Sequence, residues 1–81
     1  MPENFVGKDV SGVDFSDADL SRANLTDANL WSAVLTGANL TGVDLTGANL
    51  TGANLAGVDV TGANLSGAKL EGAKLEVVNL N

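Results

Sequence analysis

The sequence predicts an all-β fold: a right-handed quadrilateral β-helix, a solenoid of about four coils with twenty residues per coil. Three observations carry that expectation. Every position divisible by five is apolar, from Phe5 to Leu80, sixteen out of sixteen. Two residues before each of these centres, all fourteen positions from Val13 to Val78 are Ala or Val. Two residues after the centre the chain mostly has Gly, as at Gly37, Gly42, Gly47 and Gly52.

A period of five excludes the common elements. In an α-helix five steps rotate about 500°, so successive centres drift by about 140° and spread round the axis. In a straight strand an odd period sends successive centres to opposite faces. The small residue and its centre are two apart, so within one short extended stretch both point the same way. The chain must then turn before the next pair. Glycine suits that corner because it tolerates backbone angles that other residues resist. The Asn or Asp one residue before the centre also favours turns by bonding nearby backbone. Four such turns close a square, and the next coil stacks on it at about 4.8 Å. The preference for right-handed parallel crossovers sets the hand.

Along the chain, residues 1–12 are expected to form an irregular N-terminal coil or cap, because Glu3 and Lys8 stand where a small apolar residue belongs. Residues 13–80 form the regular repeats, and 1–81 make one domain. Folded at twenty residues, the interior columns read Phe5-Leu25-Leu45-Leu65, Val10-Leu30-Leu50-Leu70, Phe15-Leu35-Leu55-Leu75 and Leu20-Leu40-Val60-Leu80. Both Phe residues fall in the first coil, where an open end has room for them. Phe5 and Phe15 are therefore expected to plug it. At the other end no capping helix follows Leu75. An unpaired sheet edge invites pairing. Self-association is expected there, as a homodimer through the helix end, with Leu75, Val77, Val78 and Leu80 at the contact.

The motif, for example Ala38-Asn39-Leu40-Thr41-Gly42, resembles the pentapeptide-repeat family. The resemblance covers residues 13 to 80 and, in weaker form, the whole chain. It implies a right-handed quadrilateral β-helix with the centre and the small residue inside. Some members of that family bind type II topoisomerases such as gyrase, with an acidic β-helix standing in for duplex DNA.

Composition removes several functions. There is no His and no Cys, which excludes His-based acid/base chemistry, the usual zinc sites, thiol nucleophiles and disulfides. Hydroxyls are plentiful, but Lys69 and Lys74 sit on outward positions, and a Leu/Ala-filled interior leaves no pocket. The chain is expected not to be an enzyme and to need no cofactor and no metal. Ten acids against four bases give a net charge of −6, the wrong sign for direct nucleic-acid binding. No apolar run approaches the roughly 18 residues of a membrane span. The N-terminus MPENFVGKD lacks the basic start and apolar stretch of a signal peptide, so the cytoplasm is the default compartment.

The surface offers two candidate sites. Trp31 replaces the usual Ser or Thr, and Val34 replaces the usual Asn or Asp. Both should point outward on either side of one corner, and two adjacent apolar residues form a patch suited to a protein partner. The second candidate is an acidic surface of Asp9, Asp14, Asp17, Asp19 and Asp27. None of the ten acids has another acid twenty residues away, and the ladder Asp19, Asn39, Asp59, Asn79 alternates charged and neutral. That spacing suits stability more than a continuous negative stripe. Arg22 is expected to pair with Asp17, Asp19 or Asp27. Ser and Thr ladders read as β-propensity, and the Asn-Leu-Thr/Ser triplets at Asn24, Asn39, Asn49 and Asn64 as by-products of the repeat. The leading reading is a rigid, non-enzymatic structural or protein-interaction rod. The alternative is an acidic DNA mimic acting on a topoisomerase.

Overall fold

The architecture follows from one repeated corner. In the computed structural model, which describes residues 3–76, two turn residues follow every centre. The N–H after each turn donates back to the centre's carbonyl, as from Ala28 to Leu25 at 3.0 Å and from Ala38 to Leu35 at 2.9 Å. The second turn residue has positive φ throughout, +66° at Gly42 for example. That geometry matches the third residue of a type II turn, where Gly is favoured.

Between corners the sides are too short for long strands. Each contributes one parallel bridge to the residue twenty positions on, such as Asn29↔Asn49 and Asn39↔Asp59. Every inner side is bonded to the coils before and after it. Leu30 donates to Asn49 at 2.7 Å and Ser32 to Thr51 at 2.9 Å, while Asn49 donates to Ala28 at 2.9 Å. These ladders satisfy the backbone along the coil axis.

The core lies on that axis. Its buried residues run from Leu20 to Val60 and occupy only centres and the small positions two before them. Leu25, Leu30, Leu35, Leu40, Leu45 and Leu50 are among the largest fully buried side chains. No polar or charged side chain is buried among the described residues.

Three expectations need correction. Residues 3–12 are not irregular. They carry the bridges Asn4↔Asn24 and Asp9↔Asn29, and Lys8 donates to Phe5 across an ordinary corner. The backbone path does not need a small apolar residue two before the centre. Glu3 and Lys8 are both exposed, so neither charge is buried. The interior also has a pocket: an apolar cavity of about 230 Å³ lined by Leu45, Leu50, Leu55, Leu65, Leu70 and Leu75 with two valines. The cavity lies at the last described coil, where Leu75 is 49% exposed. Finally, extents of 27 × 25 × 22 Å describe a squat prism rather than a rod.

At the opposite end, Phe5 and Phe15 meet edge to face, with ring centroids 5.8 Å apart and planes at 60°. Both are half-buried and packed against the core.

Candidate interaction surface

The outer surface is built from the turn caps. The Asn or Asp before each centre turns its Oδ1 to the N–H two residues on, as Asn29 does to Trp31 and Asn49 to Thr51, both at 3.1 Å. Where the acceptor of that bond is followed by Ser or Thr, the hydroxyl often donates to the same oxygen, at 2.7 Å from Ser21 to Asp19 and 2.6 Å from Thr51 to Asn49.

The five residues of the predicted acidic surface divide into two roles. Asp9, Asp14 and Asp19 are caps, accepting from Ser11, Ser16 and Ser21. Those hydroxyl bonds, followed by the backbone bonds, hold their carboxyls below the ordinary aspartate value. Asp44 and Asp59 are lowered in the same way by Thr46 and Thr61. Asp17 and Asp27 are instead corner residues, both with φ of +59°. Caps five residues apart lie on successive sides, so Asp9, Asp14 and Asp19 form a girdle round the N-terminal coils and not a stripe down one face. Arg22 is itself a corner residue at φ +59°, and its influence on Asp19 is weaker than the bonds from Ser21.

Trp31 is on the first position of a corner and 54% exposed. Its N–H is held by Asn29 and its carbonyl accepts from Gly12 at 2.8 Å, so an open aromatic ring rises from a fixed backbone. Val34 lies on the next side, half-buried in the ladder Asp14–Val34–Asn54. It has no oxygen to cap the corner at Thr36, and no bond to the Thr36 N–H occurs among the described residues. Lys69 and Lys74 also stand in cap positions without an acceptor atom. One exposed apolar residue was missed: Val6, 48% exposed. It occupies the same repeat position as Trp31, and an apolar residue where Ser or Thr is usual was the available signal.

Of the expected end contact, Leu75 is half exposed, while Val77, Val78 and Leu80 lie outside the described residues. Among the described residues no group of three or more acids could hold a metal ion, and no buried side-chain polar atom lacks a partner. Among the described residues no helix is long and apolar enough to cross a membrane.

Known proteins agree with this geometry. The family described as Pentapeptide repeats (8 copies) matches residues 4–31, 14–52 and 44–81. Among solved structures, the chain is similar to a pentapeptide repeat protein (Rfr23) from the cyanobacterium Cyanothece 51142, at 34% identity and TM-score 0.60 over 96% of this chain and 57% of that one. It is also similar to HetL, a pentapeptide repeat protein involved in heterocyst differentiation regulation from Nostoc sp. strain PCC 7120, at 35% identity and TM-score 0.57. That match covers 93% of this chain and 38% of HetL. A further pentapeptide repeat protein from Nostoc PCC 7120 matches at 34% identity and TM-score 0.53, over 89% of this chain and 64% of its own. The chain therefore spans less than two thirds of the length of each of these relatives. No curated protein matches it by sequence. Repeat, corner and ladder together make the chain a member of the pentapeptide-repeat family, with that family's right-handed β-helix.

Proposed function

We propose that this chain is a non-enzymatic protein-interaction module, a right-handed quadrilateral β-helix of about four coils that presents a fixed surface to a protein partner. One observation supports this most: Trp31 stands 54% exposed on a backbone held on both sides, beside the uncapped Val34. Rigid aromatic groups contribute much of the energy at protein interfaces because little conformational freedom is lost on binding. A crosslinking pulldown from the native host tests it. A Trp31→Ser, Val34→Asn variant should lose the partner that the natural chain captures. Identical captures from both would refute the patch.

The apolar cavity at the last described coil and the half-exposed Leu75 support self-association through a β-helix end.

The crowding of Asp9, Asp14, Asp17, Asp19 and Asp27 into the N-terminal coils favours a second reading, mimicry of DNA toward a type II topoisomerase. Its dispersal over successive sides weighs against it. A mimic would inhibit gyrase supercoiling, with inhibition fading as salt rises; unaltered supercoiling would exclude this reading.

A further inference from the structure

We propose that the Trp31 patch receives an arginine from a basic segment of a protein partner, its guanidinium stacked on the indole and turned toward the carboxylates of Asp9 and Asp14. The proposal rests on the interaction reading above and supplies the chemistry of the partner.

Trp31 belongs to a coil with a neighbour on each side. Its carbonyl accepts from Gly12 in the coil before, and the N–H of Ser32 donates to Thr51 in the coil after, at 2.9 Å. The indole is open although its backbone is enclosed. A flat aromatic face in water attracts a cation through its quadrupole. Arginine suits it best, because the planar, weakly hydrated guanidinium stacks while its N–H groups still reach carboxylates.

Those carboxylates lie one coil toward the N-terminus, one on each side of the same corner. Asp9 is bridged to Asn29, the residue that caps Trp31, and Asp14 is bridged to Val34. Bridged neighbours are about 4.8 Å apart, well within the reach of one arginine side chain. Asp9 also caps Ser11, which precedes Trp31 in its own corner column, so its carboxyl is fixed at that corner. Each acid spends Oδ1 on its own turn, Asp9 on Ser11 and Asp14 on Ser16, and Oδ2 of each accepts nothing among the described residues. The serine bonds hold both carboxyls below the ordinary aspartate value, so both are charged at neutral pH, and no base contributes to that lowering.

The remaining charges select a cation over an anion. Asp17 and Asp27 occupy the two adjoining corners, while Arg22 lies two turns back from Trp31, on the diagonally opposite corner. Lys69 and Lys74 stand on the flanking ladders two coils beyond Asn29 and Val34, with Glu71 between them in the Trp31 column. Two coils are about 10 Å, roughly a Debye length at 0.1 M salt, so these lysines are screened from the patch more than Asp9 and Asp14 are. Lys8 is exposed next to Asp9 in the chain and is the one base in the same coil.

Trp31 is the chain's one tryptophan, so its fluorescence reports on this site alone. A terminally blocked peptide of alternating glycine and arginine, titrated at low salt, should change that emission to saturation. The glutamate counterpart should leave it unchanged. Asp9→Asn with Asp14→Asn should weaken peptide binding about tenfold. Asparagine keeps the turn cap, and circular dichroism verifies the fold. Asp44→Asn with Asp59→Asn removes the same charge from the other two sides of the coil and should alter affinity less than about twofold. Equal losses from the two pairs, or an emission that never responds, would overturn the arginine site. In the crosslinking pulldown, the Asp9→Asn, Asp14→Asn variant should lose the partner that Trp31→Ser, Val34→Asn loses. Capture kept by the first variant and lost by the second would refute a basic occupant and leave the patch standing. Capture kept by both would remove the patch as well.

Discussion

A single capped corner shows how much one oxygen contributes. Asn49 accepts from both the N–H and the hydroxyl of Thr51 while Val34, in the equivalent position, accepts nothing. Supplying the missing acceptor with Val34→Asn should raise stability by about 0.5–1.5 kcal/mol, the usual net value of one hydrogen bond. Urea unfolding measures this, and no change would mean that lost Val34 packing offsets the cap. The charged caps add a pH dependence. Asp9, Asp14, Asp19, Asp44 and Asp59 are lowered in the folded chain by their Ser and Thr bonds, from an ordinary value of 3.8. Stability from these groups is fully present above that value and is lost as the pH falls through the folded values. Unfolding midpoints should therefore be level above about pH 5 and fall below about pH 4. Replacing Asp44 and Asp59 by Asn keeps an acceptor in place and should flatten the acid decline. An unchanged pH profile would locate the dependence elsewhere.

The coil is the element of this fold, and its corners are not all alike. Around one full coil, Asp17, Arg22, Asp27 and Ser32 occupy the positive-φ corner position that Gly holds elsewhere, at φ of 56–59°. Each side chain covers the corner Gly of the following coil: Asp17 over Gly37, Arg22 over Gly42, Asp27 over Gly47 and Ser32 over Gly52. A Cβ added at Gly42 would sit 3.1 Å from Cγ of Arg22 and would also take on the positive φ. Gly42→Ala should cost about 1 kcal/mol or more, while Arg22→Gly should be neutral or stabilising by up to about 1 kcal/mol. Thermal unfolding of the pair gives the comparison, and equal losses from both would mean that the cover contributes as much as the strain removes. The repeat pattern identified these corners as turns. The covering of one coil's glycines by the previous coil's side chains joins positions twenty apart and was not visible in a five-residue motif.

At the scale of the whole molecule, stability is graded along the axis. Leu40 is fully buried with coils on both sides, while Leu70 is half-buried beside the terminal cavity. Leu40→Ala should cost about 2–5 kcal/mol, and Leu70→Ala clearly less, because a site already open to solvent loses little burial and creates little new cavity. Denaturant unfolding of both variants measures the difference; equal costs would show that the terminal coil is covered in solution.

The period of five determined most of the architecture by itself. Sixteen apolar centres cannot share one face of a helix or a straight strand, so the corners, the inward columns and the capping role of Asn and Asp followed from the sequence. The exposure of Trp31 was legible too, as a break in a strict pattern. Tertiary structure alone decided the rest. Lys8 keeps an ordinary corner because its charged side chain is exposed while its N–H still donates to Phe5. Whether Leu interiors leave a pocket depends on whether each layer has another to fill it. That Asp17 and Asp27 are positive-φ corner residues while Asp9, Asp14 and Asp19 are turn caps also came from the structure. The motif specifies what a residue does within its own corner. Stacking specifies what lies above and below it, and packing density and the meeting of charges across coils arise there.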